Sequence, residues 1–307
     1  MSILVLEGAD GTGKTFLAKE LEKRGYRYEH ESQPPTDDLF EHYTRKLLSA
    51  RGQRVCFDRL HVGELIYGPV MRGKSLITIE QMRLLNRLLY SMGGKLIFCD
   101  TSDYKIQGNW LKRKGQEYVD RVDKILDIAA KYRQCFDQEF TDHDTIAYDY
   151  CGSYFLERIK QFFPYDAAPD FLKRRACLPG VIGSPEAKFL FIGERVNEKL
   201  SFGEDLAFYS MENSAGFLNR CLWDAGYPEF EVSFTNAIAL GGCPRNLYAL
   251  WQRGLPVVIA LGKVAHQACV NQAVPHLAAP HPQFVKRFEA KKRGSYVELL
   301  NRFRGGV

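Results

Sequence analysis

The ten residues Leu6-Glu7-Gly8-Ala9-Asp10-Gly11-Thr12-Gly13-Lys14-Thr15 restrict what this chain can become more than any other feature. They carry the spacing G-x-x-x-x-G-K-T directly after the apolar run Ile3-Leu4-Val5-Leu6 and before a helical pattern. A buried strand should end at Leu6 and a helix should begin near Lys14. That arrangement turns backbone N–H groups and a helix N-terminus toward a polyphosphate. Gly8, Gly11 and Gly13 let the backbone turn tightly and approach the anion closely. The expected nucleotide-binding residues are Gly8, Asp10, Gly11, Thr12, Gly13, Lys14 and Thr15. Lys14 belongs on the β/γ oxygens of ATP, and the Thr15 hydroxyl on Mg²⁺.

Length and composition set the frame for that loop. The chain has 307 residues, enough for two domains. Apolar and charged fractions of 45% and 26% are those of an ordinary globular protein. No run approaches the ~20 apolar residues that span a bilayer, which argues against a membrane partner. The first strand begins within three residues of Met1, which leaves no room for a signal peptide. None of the eight cysteines forms a C-x-x-C pair, so reduced thiols in a cytoplasmic setting are expected, the host's cytoplasm if the source is viral. The net charge of +5 lies wholly beyond residue 150 and is densest over 286–304. Such a run is either a solvated face or a phosphate-binding one.

The pattern predicts an α/β fold: a phosphate-loop domain with a mostly parallel sheet flanked by helices, then a second α/β/α domain. Strands are expected at Ile3–Leu6, Arg54–Phe57, Lys95–Cys99 and Thr145–Tyr148. Helices are expected near 14–24, 37–50, 78–92, 116–138 and 153–162. The first domain is set at 1–164, a linker at 165–185 between two Pro-rich turns, and the second domain at 186–307. In the second, strands are expected at Lys188–Gly193, Phe230–Thr235 and Val257–Leu261, with helices near 213–225, 244–253, 263–272 and 294–304.

Several residues suit phosphoryl transfer. Val55-Cys56-Phe57-Asp58-Arg59 is an apolar strand that ends in an acid and a base, and such strand ends point into the ligand crevice of a parallel sheet. Asp58 is expected to assist Mg²⁺ or to take the acceptor's proton, and Arg59 to grip an acceptor phosphate; a plain strand-end ion pair is the alternative. Trp110-Leu111-Lys112-Arg113-Lys114 is a cationic cluster of the kind carried by mobile lids, with Arg113 the expected catalytic cation; a solvated helix start is the alternative for Lys112 and Lys114. Asp100 is either a metal-shell acid or a helix cap. His61 and Glu64, three apart at a helix start, are candidates for the acceptor hydroxyl, and Tyr67 for stacking on a base.

On these residues, the loop with Phe57-Asp58-Arg59 resembles the thymidylate kinase family over about residues 1–150. The resemblance implies that Asp10 lies by the acceptor sugar or metal, that Asp58 and Arg59 lie at the acceptor phosphate, and that Arg113 is a lid arginine. After Arg59 the chain departs from that family, with Leu60-His61-Val62-Gly63-Glu64-Leu65-Ile66-Tyr67-Gly68-Pro69 in place of an aromatic residue, Ser and Ala-Tyr. This variant looks like thymidylate-kinase-like enzymes of bacterial viruses, some of which resemble kinases of 5-hydroxymethyluracil in DNA. Downstream, Phe189-Leu190-Phe191-Ile192-Gly193-Glu194, Asn213-Ser214-Ala215-Gly216, Phe234-Thr235-Asn236, Val258-Ile259-Ala260-Leu261-Gly262 and His281-Pro282 resemble, in order and spacing, the uracil-DNA glycosylase superfamily over about 186–290. That resemblance implies that Glu194 lies beside the deoxyribose, that Asn236 reads the base edge and that His281 stabilises the departing base. Arg195-Val196-Asn197 replaces the usual small residue and Pro-Gly, so base reading without bond cleavage is expected. The implied partner is DNA bearing a modified pyrimidine, or else a free pyrimidine deoxynucleotide.

Overall fold

A computed structural model describes residues 3–31, 38–113, 119–140, 145–149, 180–184, 187–195, 208–239, 242–254, 256–288 and 293–306. The chain divides into two compact units, Met1–Leu85 with Met92–Ala176, and Asn86–Ser91 with Cys177–Val307.

The first unit is built on a five-stranded sheet. Its strands are β1 (Ile3–Glu7), β2 (Arg27–His30), β3 (Val55–Asp58), β4 (Lys95–Cys99) and β5 (Thr145–Tyr148). They lie in the order β2-β3-β1-β4-β5, and every neighbouring pair is parallel. β1 is central and buried at all five positions, which is why it reads as an unbroken apolar run rather than an alternation. Its period of two sends Leu4 and Leu6 to one face, where they pack with Leu17, Ala18 and Leu21 of helix α1 (Lys14–Glu22). The remaining helices are α2 (Leu39–Ser49), α3 (His61–Arg72), α4 (Ile79–Ser91, of which Asn86–Ser91 belongs to the second unit), α5 (Asp103–Lys112) and α6 (Val122–Glu139). Because the chain leaves β1 to one side for β2 and later returns to the other for β4, the strand order reverses around β1. The crevice outside the carboxyl ends of β1, β3 and β4 is where such a sheet binds ligands.

The second unit carries a mixed five-stranded sheet of β6 (Ile182–Gly183), β7 (Phe189–Arg195), β8 (Val232–Ile238), β9 (Val257–Leu261) and β10 (Leu277–Ala279), in the order β10-β9-β7-β8-β6. Only β6 is antiparallel to its neighbour. Its helices are α7 (Asn213–Asp224), α8 (Leu247–Gln252), α9 (Lys263–Asn271), α10 (Pro282–Phe288) and α11 (Arg293–Gly305). Leu190, Ile192, Val258 and Ala260 from the central strands bury against Leu247, Ala265 and Cys269.

The expected alternation is present in both units. Strands β2, β6 and β10 were not anticipated, and α3 and α5 occupy stretches read only as a helix start and a cationic lid. The helix expected near 153–162 lies outside the described residues, as does most of the expected linker. Among the described residues no helix is long and apolar enough to cross a membrane. Cys56, Cys99, Cys135, Cys221, Cys243 and Cys269 are free thiols.

Candidate active site

The loop between β1 and α1 is held by contacts that only its own residues could make. Gly8 has φ 146°, and a Cβ there would lie 2.1 Å from the Cys99 carbonyl oxygen. Gly13, at φ 86°, ends the loop and leads into α1 at Lys14. Inside the turn the Thr12 hydroxyl donates to Ala9 O at 2.8 Å. Lys14 is buried, and its ammonium donates to Gly8 O at 2.7 Å and Ala9 O at 2.6 Å. The loop therefore wraps its lysine, and α1 begins where an anion would meet free N–H groups and the positive end of the helix.

Asp58, at the carboxyl end of β3, is the second component. It pairs across the sheet with Leu6 on one side and His30 on the other. Its Oδ2 accepts from the Thr15 hydroxyl at 3.3 Å and the Tyr28 hydroxyl at 3.1 Å, and lies 3.6 Å from His30 Nδ1. Tyr28 and His30 are two apart on β2, so one face of that strand supplies both. Burial pushes the Asp58 carboxyl up, but hydrogen bonding from His30 and the charge of Lys14 outweigh it and hold the group below its ordinary value. Hydrogen bonding to Asp58 raises the His30 pKa, against the opposing effect of burial. The other carboxylate oxygen, Oδ1, is buried and has no hydrogen-bond partner among the described residues; the same holds for Oδ2 of Asp10. Among the described residues no cluster of three or more His, Cys, Asp or Glu could cage a metal ion. One hydroxyl and two orphaned carboxylate oxygens beside a phosphate loop fit Mg²⁺, a hard cation that keeps waters and shares itself with substrate phosphates. Tyr28 and His30 were missed in the sequence because β2 was missed.

Arg59 follows with φ 70°, a left-handed conformation unusual for a side-chain-bearing residue and typical of strained functional positions. Its guanidinium forms an ion pair with Asp10 and lies 4.7 Å from the centre of the Tyr67 ring. The loop acid, the Asp-Arg pair and the expected stacking tyrosine are thus brought together. His61, the first residue of α3, is fully buried, with its ring edge-on to Tyr43 at 6.5 Å. The Oε1 atom of Glu64 accepts from Arg72 and from Leu76 N at 2.8 Å, which ties down the far end of α3. That contact gives Glu64 a bracing position rather than the acceptor-facing one expected.

Glu7 is a buried acid that the sequence reading passed over. Its Oε1 accepts from Leu60 N at 3.1 Å and Val62 N at 3.2 Å, and its Oε2 from the Tyr132 hydroxyl at 3.1 Å. It caps α3 from a distant strand, since Leu60 at the N-cap offers no side-chain bond. Burial raises its pKa, opposed by those hydrogen bonds. Glu7→Ala should cost about 2–4 kcal/mol by leaving buried donors unmatched, read from the urea midpoint; Glu7→Gln, which keeps an acceptor oxygen, should retain most of that stability.

On the other side of the loop, α5 ends at the exposed Arg113; residues 114–118 of the expected lid lie outside the described residues. Asp100 is held bidentately by Arg133 at 2.8 and 3.0 Å. It is an ion-pair partner of α6, neither the metal-shell acid nor the helix cap expected.

In the second unit, Glu194 and Asn236 stand near the carboxyl ends of β7 and β8, and His281 just beyond β10. Gly193 pairs with Asn236 across the sheet. At Gly262, φ 90°, a Cβ would lie 2.7 Å from Glu194 Oε1 and 2.9 Å from His281 Cβ. Glu194 and His281 therefore converge at Gly262, and Asn236 stands beside Gly193, so the three residues read from scattered motifs gather at one end of one sheet. A Cβ at Gly193 would meet Asn236 Oδ1 and Phe208 Cζ, each at 2.5 Å; Phe208, at φ 61°, was not anticipated. Partial burial lowers the His281 pKa, opposed by the charge of Glu194. Gly262→Ala should cost about 2–4 kcal/mol in the urea midpoint, through backbone strain and displacement of both side chains.

No protein-family model matches the chain, and no curated protein matches it. Among solved structures, it is similar to the YorR protein from Bacillus subtilis in complex with phosphorylated GDP, at 22% identity over 52% of this chain and 98% of that one, with a TM-score of 0.42. It is also similar to deoxyadenosine kinase from M. mycoides with bound dATP, at 17% identity over 48% of this chain and 91% of that one, with a TM-score of 0.33. The same kinase with products dCMP and a flexible dCDP gives 17% identity, 48% and 90% coverage and a TM-score of 0.32.

Proposed function

We propose that this chain is an ATP- and Mg²⁺-dependent phosphotransferase acting on a pyrimidine, and that its acceptor is the hydroxymethyl group of 5-hydroxymethyluracil within DNA. One observation carries the kinase reading: a phosphate loop wrapped round the buried Lys14 leads into Thr15, whose hydroxyl donates to Asp58, and Asp58 Oδ1 has no partner among the described residues. Mg²⁺ would be held by Thr15 and Asp58 and would neutralise charge on the donor phosphates. Lys14 and the N–H groups of α1 bind the β- and γ-phosphates, and Arg113 balances the charge that develops on the transferred group. The acceptor oxygen bonds to the γ-phosphorus, the bond from that phosphorus to the β-phosphate oxygen breaks, and ADP leaves. The acceptor's proton passes to Asp58 or to His61, with His61 the base where Asp58 Oδ1 is engaged on Mg²⁺. A carboxylate held below its ordinary pKa is a weak base, but the loose transition state of phosphoryl transfer needs little basicity.

The DNA acceptor is supported by the altered segment after Arg59 and by Glu194, Asn236 and His281 at one sheet end of a basic second unit. A base inside a duplex must be extruded before any enzyme can modify it, at a cost of a few kcal/mol, and a base-reading unit serves that need. A second reading is a soluble kinase of a dTMP-like free deoxynucleotide, favoured by the Arg59 guanidinium, which suits a phosphate-bearing acceptor.

The test offers γ-labelled ATP with free deoxynucleotides, plain DNA and DNA containing 5-hydroxymethyluracil. Label entering only the last supports the reading. Label on dTMP or dUMP supports the free-nucleotide kinase. Abasic sites in the duplex would mean that the second unit cleaves as well as reads. Absence of label from every acceptor would reject the kinase assignment.

A further inference from the structure

The phosphate loop has a clasp that the reaction as described does not use. The amide nitrogen of Asn109, on α5, donates to the Gly11 carbonyl at 2.8 Å. The approach is close on both sides. Gly11 has φ 84°, and a Cβ there would lie 3.3 Å from Asn109 Cβ and 3.3 Å from Ile106 O. Ile106, one turn before Asn109 on the same helix, is completely buried. The apex of the loop therefore rests on the face of α5 that carries Ile106 and Asn109.

That helix also bears Arg113. Arg113 is the exposed C-cap of that helix, four residues and about one turn beyond Asn109. The end of the helix is itself fixed. Arg113 N donates to Trp110 O at 3.0 Å, and the buried Trp110 indole donates to Val119 O at 3.0 Å. With α5 anchored by Ile106 and its last turn closed in this way, the bond from Asn109 to Gly11 sets the register between the helix end and the loop.

We infer that Asn109 is a positioning residue for phosphoryl transfer: by clasping the Gly11 carbonyl it holds the arginine-bearing end of α5 in register with the phosphate loop. This rests on the kinase reading above. Asn109 acts through Arg113 and touches no reacting atom. A displacement of the order of 1 Å in such a cation is enough to lower a transfer rate about 100-fold.

The experiment compares full-length wild type, Asn109→Ala, Arg113→Ala and the double variant. Rates of label transfer from ATP are measured beside ADP affinity by calorimetry and melting temperature. The expected result is a rate loss of about 10- to 100-fold in Asn109→Ala with ADP affinity within about twofold, and a double variant no slower than Arg113→Ala alone. Asn109→Asp keeps the side-chain volume but sets an oxygen against Gly11 O, and should be at least as slow as Asn109→Ala. Multiplicative losses in the double variant would overturn the inference, as would an Asn109→Ala or Asn109→Asp rate equal to wild type. A wild type that transfers no label at all would remove the kinase reading and this inference with it, a failure distinct from an active wild type with an indifferent Asn109.

Discussion

Lys14→Ala is expected to lower phosphoryl transfer about 10³-fold or more while leaving the protein folded. The side chain occupies the centre of the loop, where its ammonium is already desolvated and hydrogen-bonded to Gly8 O and Ala9 O. A charge held in a buried, preorganised position stabilises developing phosphate charge far better than one in water, and removing a single such donor commonly costs two to three powers of ten. The fold should change little. Position 14 opens a helix, where alanine is the best-tolerated residue, and the loop's shape is set by its glycines and by the Thr12–Ala9 bond. Label transfer and a melting curve on the same preparation check both halves. A rate within about tenfold of wild type would mean that the donor triphosphate binds elsewhere.

Gly8→Ala is expected to destabilise the protein by about 3–5 kcal/mol and to abolish nucleotide binding. Two effects add. The backbone angle of 146° disfavours any residue with a Cβ. The new methyl would also stand 2.1 Å from the backbone oxygen of Cys99, which belongs to β4 and cannot swing aside as a side chain would. Gly73→Ala separates the two contributions. Gly73 has φ 76°, but a Cβ added there would meet nothing within 4 Å, so strain alone acts and the loss should be about 1–2 kcal/mol. Urea midpoints and ADP titration of the two variants give the comparison. Equal midpoints would show that Cys99 yields.

The elements legible in the sequence were those with strong local signals. β1, the loop and α1 were readable because an apolar run, a fixed glycine spacing and a helical pattern all agree. β2 was not, because Arg27-Tyr28-Glu29-His30 is a half-exposed edge strand whose polar residues serve a neighbour rather than the core. With it went Tyr28 and His30, and so the hydrogen bonds that orient Asp58. α3 was recognised only at its start because Gly68-Pro69 reads as a stop; Pro69 lies inside the helix, which runs on to Arg72 although the proline has no N–H to donate to the preceding turn. Its remote cap by Glu7 has no local sequence signature, since the partners are 53 and 55 residues apart. The gathering of Glu194, Asn236 and His281 was legible as an order of motifs. Phe208 and the close packing at Gly262 are tertiary facts that no local pattern encodes.

The sheet order also governs when the donor site can exist. β1 emerges from the ribosome before its partners β3 and β4, which are made some 50 and 90 residues later. Long-range parallel pairing of this kind is slow, and a nascent apolar strand must wait for it. The cradle around Gly8 is walled by Cys99, so on the proposed function a growing chain is expected to gain affinity for nucleotide only once β4 has left the exit tunnel and docked. Binding of a labelled nucleotide to stalled nascent chains of increasing length would then serve as a clock for assembly of the first unit.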